Sequence, residues 1–473
     1  MFVILMGGRL YLDYRIEPLI LCSAVIAGFM AWYLRCQWQQ LEEAILNKIN
    51  VAMQGMLIIF SVGCMVGAWM FCGTVPFMVY WGLELVNPNY MLLSAFLICT
   101  LTSCCTGTSW GSAATIGVAM IGIAHGLGIP LAPVAGAALS GCYVGDKLSP
   151  LSDTTNLAPA VAGATTYEHI GHMFYTTIPG TILCCIVFFF ASSSVTGELH
   201  TPAEVQDFMN QLTEIYKLHF LLAVPPLLLI TGSILRCPIL PTIVLTTILS
   251  VALGCLLQGF DLRWGILSTT TGFKVSMTHY LATPTESVQT LLNRGGMMGV
   301  LENMGMLCVA MAFGGIMHGS GMLTVVLQKM LKRVRSDGGL IASTLLSCVV
   351  LCFSTGSAYM GILIPGSLFK ESYLKRRLHP KNLSRALEDS ATMLDGAIPW
   401  ASGAVYMSGV LGVSAFEYVP WMVFNYSSVF IGLACAMLGI GIVKISAEDA
   451  KERLATSQMD TVLIEETPEP VQA

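Results

Sequence analysis

Charged and hydroxyl side chains are concentrated in one short stretch of an otherwise apolar chain, Gly141-Cys-Tyr-Val-Gly-Asp-Lys-Leu-Ser-Pro-Leu-Ser-Asp-Thr-Thr-Asn156. Asp146, Lys147 and Asp153 are costly at membrane depth, and ionisable residues found there mark functional sites by default. Pro150 interrupts a helix, and irregular backbone is tolerated in a bilayer only where it lines a cavity or is buried in protein. A broken helix that carries charges predicts an ion or substrate site.

The composition is that of a polytopic membrane protein. Of 473 residues, 55% are hydrophobic and only 11% are charged, whereas soluble domains carry about 25% charged residues. A spanning helix needs about 20 apolar residues, so the chain has room for roughly ten crossings. The net charge of −5 argues against a nucleic-acid partner. The 16 cysteines show no metal-ligand spacing, so we expect no transition-metal site and no cofactor.

Long apolar segments with polar centres predict broken or re-entrant helices. Residues 90–128 are too long for one crossing, and the polar, glycine-rich run Thr106-Gly-Thr-Ser-Trp-Gly111 in their middle favours a re-entrant hairpin with its tip at that run. Residues 130–167 then form a membrane helix that the polar stretch interrupts. In the second half, residues 339–369 and 387–416 repeat these two patterns.

A constant shift of 249 residues aligns the two halves of the chain. It places Thr106-Gly-Thr-Ser-Trp110 on Thr355-Gly-Ser-Ala-Tyr359 and Asp146 on Asp395. Ten of the 23 basic residues lie between 329 and 385, beside the second hairpin. The segments that flank the first hairpin contain no Lys or Arg. Since basic loops stay in the cytoplasm, the two hairpins should enter from opposite sides, which predicts an inverted repeat.

The predicted fold is an all-α polytopic membrane protein, an inverted-repeat secondary transporter with re-entrant hairpins and broken transmembrane helices. The expected segments are an N-terminal span and the polar loop Arg35–Asn50 (1–50), a first transport repeat (51–195), the connecting spans 218–235 and 238–258 with polar linkers and an amphipathic segment at 202–216 (196–299), a second, inverted transport repeat (300–443), and a disordered cytoplasmic tail (444–473).

Oxygen-bearing residues at the helix interruptions form the predicted ion and proton site. Half-helix ends present unpaired amides and carbonyls, and a hard cation such as Na⁺ suits oxygen ligands. The candidates are Thr106, Thr108, Ser109, Asp146, Ser149, Asp153, Thr154 and Asn156 in the first repeat, and Thr355, Ser357, Asp389 and Asp395 in the second. For each hydroxyl, capping of a broken helix is the competing interpretation. For each Asp, it is a structural carboxylate held by helix amides.

Lys147 has Gly396 as its counterpart in the repeat, so the fold itself does not demand a lysine. Four roles stay open: an ion pair with Asp146 or Asp153, contact with an anionic substrate, an internal surrogate cation, or snorkelling to the cytoplasmic interface. Among the carboxylates, one that can take either a proton or Na⁺ is the simplest physical basis of an antiporter, because the two ligands compete for one charge.

The motif Gly145-Asp-Lys-Leu-Ser-Pro-Leu-Ser-Asp-Thr-Thr-Asn156, together with Thr106-Gly-Thr-Ser-Trp-Gly-Ser112 and Ile398-Pro399-Trp400, resembles the NhaC family of Na⁺/H⁺ antiporters. That family includes exchangers of lactate and malate coupled to Na⁺ and H⁺. The resemblance implies secondary transport by a multi-pass protein of a bacterial inner membrane. It carries a functional role onto Asp146, Ser149, Asp153, Thr154 and Asn156. The expected partners are the lipid bilayer, Na⁺ and H⁺, with a homodimer left open.

Na⁺/H⁺ exchange is therefore the predicted function, and no enzymatic activity is expected. The alternative is exchange of malate or lactate, with Lys147 and helix N-termini holding the carboxylate. It ranks second because no Arg cluster faces the site. An intramembrane aspartyl protease would need Gly-x-Gly-Asp, whereas this chain reads Tyr143-Val-Gly-Asp146. An ATP-driven pump is excluded as far as this chain goes, since it has no Gly-x-x-x-x-Gly-Lys-Ser/Thr motif.

Overall fold

The computed structural model describes residues 16–195, 202–280, 283–332 and 334–454, which are almost entirely helical. Within these ranges, extended pairing is limited to one isolated bridge, between Leu378 and Lys444. The helices up to the end of the first repeat are α1 (Ile16–Tyr33), α2 (Trp38–Cys72), α3 (Thr74–Leu85), α4 (Met91–Thr106), α5 (Ser109–Ser112), α6 (Val118–Gly126), α7 (Leu131–Leu148), α8 (Asp153–Ala162) and α9 (Thr166–Val195).

The connecting region and the second repeat continue the helical pattern. The connecting helices are α10 (Pro202–Ile215), α11 (Val224–Ile234), α12 (Ile239–Leu253), α13 (Leu262–Thr271) and α14 (Glu286–Leu292). The remaining helices are α15 (Leu301–Gly319), α16 (Met322–Lys332), α17 (Asp337–Thr355), α18 (Ala358–Lys375), α19 (Pro380–Leu387), α20 (Met393–Asp395), α21 (Ser402–Leu411), α22 (Ala415–Tyr418) and α23 (Val423–Leu438). Single π-helical turns occur at Ala113–Gly117, Gly254–Gln258 and Glu388–Thr392.

Six helices of the described ranges are long and apolar enough to cross a membrane, and the number rises to eight if two bent helix pairs each count as one span. The sequence suggested about ten crossings. Helix α1 and the two interrupted helices, α7 with α8 and α19 with α21, are among the elements that do not qualify, because each continuous piece is too short or too polar by itself. The chain is thus a multi-pass protein whose polar residues are concentrated in its broken elements.

The predicted loop at Arg35–Asn50 is wrong. Helix α2 starts at Trp38 and runs for 35 residues, about 50 Å at 1.5 Å per residue. This is longer than the roughly 30 Å hydrocarbon core. Gln, Leu, Glu and Ala, which dominate its first turns, are good helix formers. Their polarity therefore marks a part of the helix beyond the apolar layer, and does not mark a break.

The first hairpin is confirmed by the direction in which α4 and α7 pack. Gly141 of α7 lies against Phe96 of α4, and the Ser103 hydroxyl of α4 donates to the Cys142 carbonyl of α7. Towards the end of both helices, Gly145 lies against Ser103. The two helices therefore run parallel and in close register. Parallel neighbours require the intervening residues 107–130 to return to the side from which α4 started.

The 249-residue shift holds for individual hydrogen bonds. The Ser103 hydroxyl donates to the Cys142 carbonyl, and the shifted pair makes the same contact, from Cys352 Sγ to the Ala391 carbonyl at 3.7 Å. Gly107 and its counterpart Gly356 both end a helix in the left-handed region, at φ 71° and 61°. Both conformations favour glycine, which has no Cβ to clash. The two repeats therefore share backbone geometry as well as sequence pattern.

The equivalent helices α9 and α23 pack antiparallel, as an inverted repeat requires. Near its start, α9 places His172 against the carbonyl of Gly441, which follows α23, with Nε2 2.7 Å from that oxygen. About two turns later, Gly180 of α9 lies against Phe424 and Ser427 in the first half of α23. Because these helices occupy matching positions in the two copies, the copies run in opposite directions.

The segments outside the repeats dock on them. The amphipathic segment expected at 202–216 is confirmed as α10, which buries Phe208 and Leu212 and meets the following span at 98°. Of the tail expected to be disordered from 444, residues 455–473 lie outside the described residues. The part that is described contacts the body: Lys444 Nζ is 3.0 Å from Asp337 Oδ2, and Arg453 donates to the Gly163 carbonyl at 3.0 Å.

Candidate functional site

The break in the first hairpin places a backbone amide next to Asp146. Helix α4 ends at Thr106, whose hydroxyl is 3.0 Å from that of Ser112, and Thr108 accepts the Gly111 amide at 3.4 Å as the N-cap of α5. The first amides of a helix have no partner within it. One of them, Ser109 N, donates to Asp146 Oδ1 at 3.2 Å. The hairpin tip therefore supplies a fixed donor to a buried carboxylate.

The break between α7 and α8 holds the same carboxylate from the other side. The Ser152 hydroxyl donates to Asp146 Oδ1 at 3.3 Å, and the Thr155 hydroxyl donates to the Asp146 carbonyl. Asp146 is only 8% exposed. Its hydrogen-bond donors among the described residues are neutral, and none of the ion pairs of the described chain involves it. It is thus a buried acid without a basic partner.

Asp395 repeats this arrangement in the second copy. Its Oδ1 accepts from the Ser402 hydroxyl at 3.2 Å, and the amides of Gly403 and Ala358 also face the carboxylate. Ala358 stands 249 residues after Ser109, so the hairpin of each copy directs the equivalent amide at the equivalent acid. Asp395 is 7% exposed. Asp146 and Asp395 have equivalent surroundings because the helix breaks of the two copies are equivalent.

Tyr143 lies near both Asp146 and Asp395. It lies one turn before Asp146 on α7, and its ring packs against Gly396 and Gly403 beside Asp395. The charges of both acids act on its hydroxyl. That hydroxyl is buried and has no hydrogen-bond partner among the described residues. The Tyr143 hydroxyl is therefore a buried polar group beside Asp395 without a hydrogen-bond partner in the described chain.

Lys147 forms a buried ion pair with Asp389. Its Nζ lies 2.6 Å from Asp389 Oδ1, and it also donates to the hydroxyls of Thr176, at 3.3 Å, and Ser428. Neither side chain of the ion pair is more than 1% exposed. Of the roles left open by the sequence, an ion pair is observed, but with Asp389 in place of Asp146 or Asp153. Full burial contradicts snorkelling.

Arg385, four residues before Asp389 in the chain, places a second positive charge near this carboxylate. Arg385 Nε is 3.9 Å from Asp389 Oδ2, and both side chains are 1% exposed. The Thr176 hydroxyl donates to Asp389 Oδ1 at 2.7 Å. The Asp389 carboxylate therefore has two basic residues and a hydroxyl as neighbours. This arrangement leaves it less free to bind a cation than Asp146 or Asp395.

Glu388 is a buried acid that our sequence analysis missed. It is fully buried on the π-helical turn Glu388–Thr392, and its Oε1 accepts from the Thr154 hydroxyl at 2.9 Å. Its Oε2 has no partner among the described residues. The available signal was an ionisable residue within an apolar segment. The 249-residue shift pairs Glu388 with Leu139, so the repeat gave no reason to single it out.

The other predicted residues serve local structure or lie at the edge of the site. Asp153 and Asn156 are exposed on the first turn of α8, and Asn156 donates to the carbonyls of Pro150 and Ser152 at 2.9 and 2.8 Å. Ser149 Oγ is 3.4 Å from the Leu151 amide. Thr355 donates to the Leu351 carbonyl one turn earlier in α17, at 2.8 Å.

Ser357 remains a candidate at the second hairpin. It caps the start of α18 without a side-chain bond to the helix and is 7% exposed. Beside it, the Gly356 carbonyl accepts the Ser402 amide at 3.0 Å, which joins the hairpin break to the break of the interrupted helix. Among the described residues, no three His, Cys, Asp or Glu side chains are grouped as ligands of a metal ion.

Comparison with known proteins agrees with this architecture. The model of the Na⁺/H⁺ antiporter family matches residues 141–440. A Haemophilus influenzae protein described as an uncharacterised Na⁺/H⁺ antiporter is 39% identical over 446 residues, which cover 94% of this chain and 95% of that protein. The Na⁺/H⁺ antiporter NhaC of Alkalihalophilus pseudofirmus is 33% identical over 428 residues, 90% of this chain and 91% of the relative.

A third relative carries a different description. The malate-2H⁺/Na⁺-lactate antiporter of Bacillus subtilis is 33% identical over 431 residues, 91% of this chain and 90% of that protein. Two inverted copies of a hairpin and a broken helix, closed around buried acids, define a secondary transporter. With these matches along most of its length, the chain belongs to the Na⁺/H⁺ antiporter family.

Proposed function

We propose that this protein exchanges Na⁺ for H⁺ across the cytoplasmic membrane of a bacterium, with Asp146 as the group that binds both ions. One observation carries the proposal. Asp146 is buried between two helix breaks and receives only neutral donors, while the neighbouring Lys147 is paired with Asp389. The family membership of the chain supports the same activity.

An ionised carboxylate is costly to bury unless a cation or a proton neutralises it. No basic residue of the described chain neutralises Asp146, so a proton or Na⁺ from outside must do so. Hydroxyl and carbonyl oxygens at the two breaks, including those of Thr106, Ser109 and Ser149, are the ligands we propose for Na⁺. Occupation by one ion excludes the other, and this competition couples the two fluxes.

The proposal is tested with sealed membrane vesicles that contain the full chain and a pH-sensitive dye. Addition of Na⁺ alone is expected to move protons. Asp146→Asn removes the exchangeable charge and should reduce Na⁺-dependent proton movement to that of vesicles without the protein. Asp207→Asn, a surface acid on α10, is the matched control and should transport normally. Retained exchange in the Asp146→Asn variant would remove Asp146 from this role.

Malate or lactate exchange is the second candidate, because one relative at 33% identity is described as a malate-2H⁺/Na⁺-lactate antiporter. The residue first considered as an anion contact, Lys147, has its ammonium group held by Asp389. The same vesicles decide between the candidates. Proton movement that requires lactate or malate in addition to Na⁺ would favour the second candidate over the first.

A further inference from the structure

Glu388 differs from the other acids of the site in what surrounds it. Its single observed hydrogen bond comes from the Thr154 hydroxyl at 2.9 Å. Its second oxygen, Oε2, and the Thr392 hydroxyl on the same π-helical turn are both buried without a partner among the described residues. π turns inside helices occur frequently at functional sites. The turn thus carries a fully buried acid whose Oε2 receives no hydrogen bond from the described residues.

Basic residues near Glu388 are engaged elsewhere. The charged groups of Lys147 on α7 and Arg385 on α19 both lie near Asp389, the residue that follows Glu388. The remaining titratable groups that face Glu388 are Asp146 on α7 and Tyr359 on α18. On α8, Asp153 precedes the Thr154 donor and is exposed. No cation of the described chain therefore forms a salt bridge with Glu388.

The charge balance of this cluster permits both forms of Glu388. Lys147 and Arg385 carry two positive charges, and Asp389 carries one negative charge, so an ionised Glu388 makes the group neutral. A protonated Glu388 leaves the group with one net positive charge. Because neither form is fixed by a direct ion pair, the carboxyl group can gain and lose a proton without disrupting a salt bridge.

The surroundings of Glu388 are a poor binding site for Na⁺. A hard cation needs several oxygen ligands at once, whereas Glu388 is accompanied by two hydroxyls, one of which already donates to it. The charges of Lys147 and Arg385 nearby also repel a cation. Glu388 therefore suits a proton and excludes Na⁺, in contrast to Asp146, which lies between two helix breaks. Its repeat counterpart is Leu139, so the fold does not require an acid here.

We propose that Glu388 is a second proton-binding group of the transport cycle, which binds its own proton and no Na⁺. The inference rests on the proposed Na⁺/H⁺ exchange and specifies its stoichiometry. Each cycle would move one proton on Asp146 and one on Glu388 against each Na⁺ bound at Asp146. Such exchange moves net charge, so the transmembrane voltage should drive it.

The test uses the purified full chain in proteoliposomes and measures the ratio of protons to Na⁺ from the Na⁺ gradient that just balances an imposed membrane potential. The wild type should exchange more than one proton per Na⁺. Glu388→Gln should keep Na⁺/H⁺ exchange but lose about one proton per Na⁺, and so lose most of its voltage dependence. Glu371→Gln, a surface glutamate on α18 that pairs with Lys375, is the matched control and should keep the wild-type ratio.

The outcomes separate this inference from the function on which it rests. A wild type without Na⁺-dependent proton movement would refute the proposed exchange itself. A wild-type ratio of one, or an unchanged ratio in Glu388→Gln, would overturn the role of Glu388 and leave the exchange standing. Loss of Na⁺ binding in Glu388→Gln, measured by calorimetry on the purified protein, would also overturn it, because Glu388 would then belong to the shared site.

A second variant keeps the inference testable if Glu388→Gln folds poorly. Thr154→Val removes the hydroxyl that donates to Glu388 Oε1. Loss of this donor destabilises the ionised form, so the pH at which transport is half-maximal should rise by about one unit. Thr154→Ser retains the hydroxyl and should restore the profile. An identical pH profile in Thr154→Val and the wild type would contradict the proposed titration of Glu388.

Discussion

At the scale of single residues, the buried charges of this protein divide into neutralised and unneutralised groups. Lys147 and Arg385 both lie within ion-pair distance of Asp389 in the interior, at 2.6 and 3.9 Å. Asp146 and Asp395 receive hydroxyl and amide donors but no basic partner. The first group fixes the contact between the repeats, since Lys147 belongs to one copy and Asp389 to the other. The second group includes Asp146, the acid to which we assign ion binding.

The Lys147–Asp389 pair should matter for stability. Lys147→Met removes one partner and leaves a buried charge, which is expected to reduce stability by about 3–5 kcal/mol. The double variant Lys147→Met/Asp389→Asn should recover little of the loss, because the buried Arg385 then has no acidic partner in the described chain. Thermal unfolding of the purified proteins measures both effects. Equal melting temperatures for the wild type and the single variant would show that the pair contributes little.

At the scale of elements, each hairpin places a helix start at the end of a neighbouring broken helix. Parallel packing of α4 and α7 brings the Ser109 amide to Asp146. The left-handed glycine that ends the first arm makes this possible, because it turns the chain within two residues. In the second copy, Gly356 has the same conformation. The geometry of the acid sites therefore depends on two glycines that carry no chemistry themselves.

Gly107→Ala tests this dependence. An alanine at φ 71° costs about 1–2 kcal/mol, and its Cβ would collide with Leu151 and approach Ser149. We expect the tip to shift and the exchange rate to fall severalfold, with the amount of folded protein reduced. Gly171→Ala is the matched control, since that glycine lies in α9 with no atom within 4 Å of an added Cβ. Similar losses in both variants would speak against a specific role of the hairpin turn.

At the scale of the whole molecule, the two copies meet around the acids. The rings of Trp110 in the first hairpin and Tyr406 on α21 stack at 4.2 Å, and the Tyr406 hydroxyl donates to the Trp110 carbonyl at 2.9 Å. Helices α9 and α23, one from each copy, also pack against each other in antiparallel orientation. Inverted copies closed around one site are the architecture in which one half can rock against the other to change access.

The opposite entry sides of the hairpins can be tested with reporter fusions. Truncation after Asn89, before the first hairpin, should give active alkaline phosphatase, because that loop faces the outside. Truncation after Arg335, before the second, should give fluorescent green fluorescent protein in the cytoplasm. The expectation rests on the distribution of Lys and Arg. The same reporter active at both positions would contradict the inverted orientation in the membrane.

The sequence by itself determined the repeat and the broken helices. It also singled out Asp146 and Asp395 as acids at equivalent positions of the two copies. These features are local, or they recur at a fixed spacing, so composition and alignment of the chain with itself suffice to find them. It also determined that polar residues in the apolar segments must be held at helix breaks. It did not determine that α2 begins at Trp38, because good helix formers can be as polar as a loop.

Only the tertiary structure decided which of the polar residues meet. Ser152 and Thr155 face Asp146, whereas Asp153 and Asn156 share the opposite, exposed face of α8, because residues three apart lie on one side of a helix. Lys147 meets Asp389 across 242 positions of the chain, and Thr154 meets Glu388 across 234. Such contacts depend on how two folded copies pack, and no local pattern of residues encodes that packing.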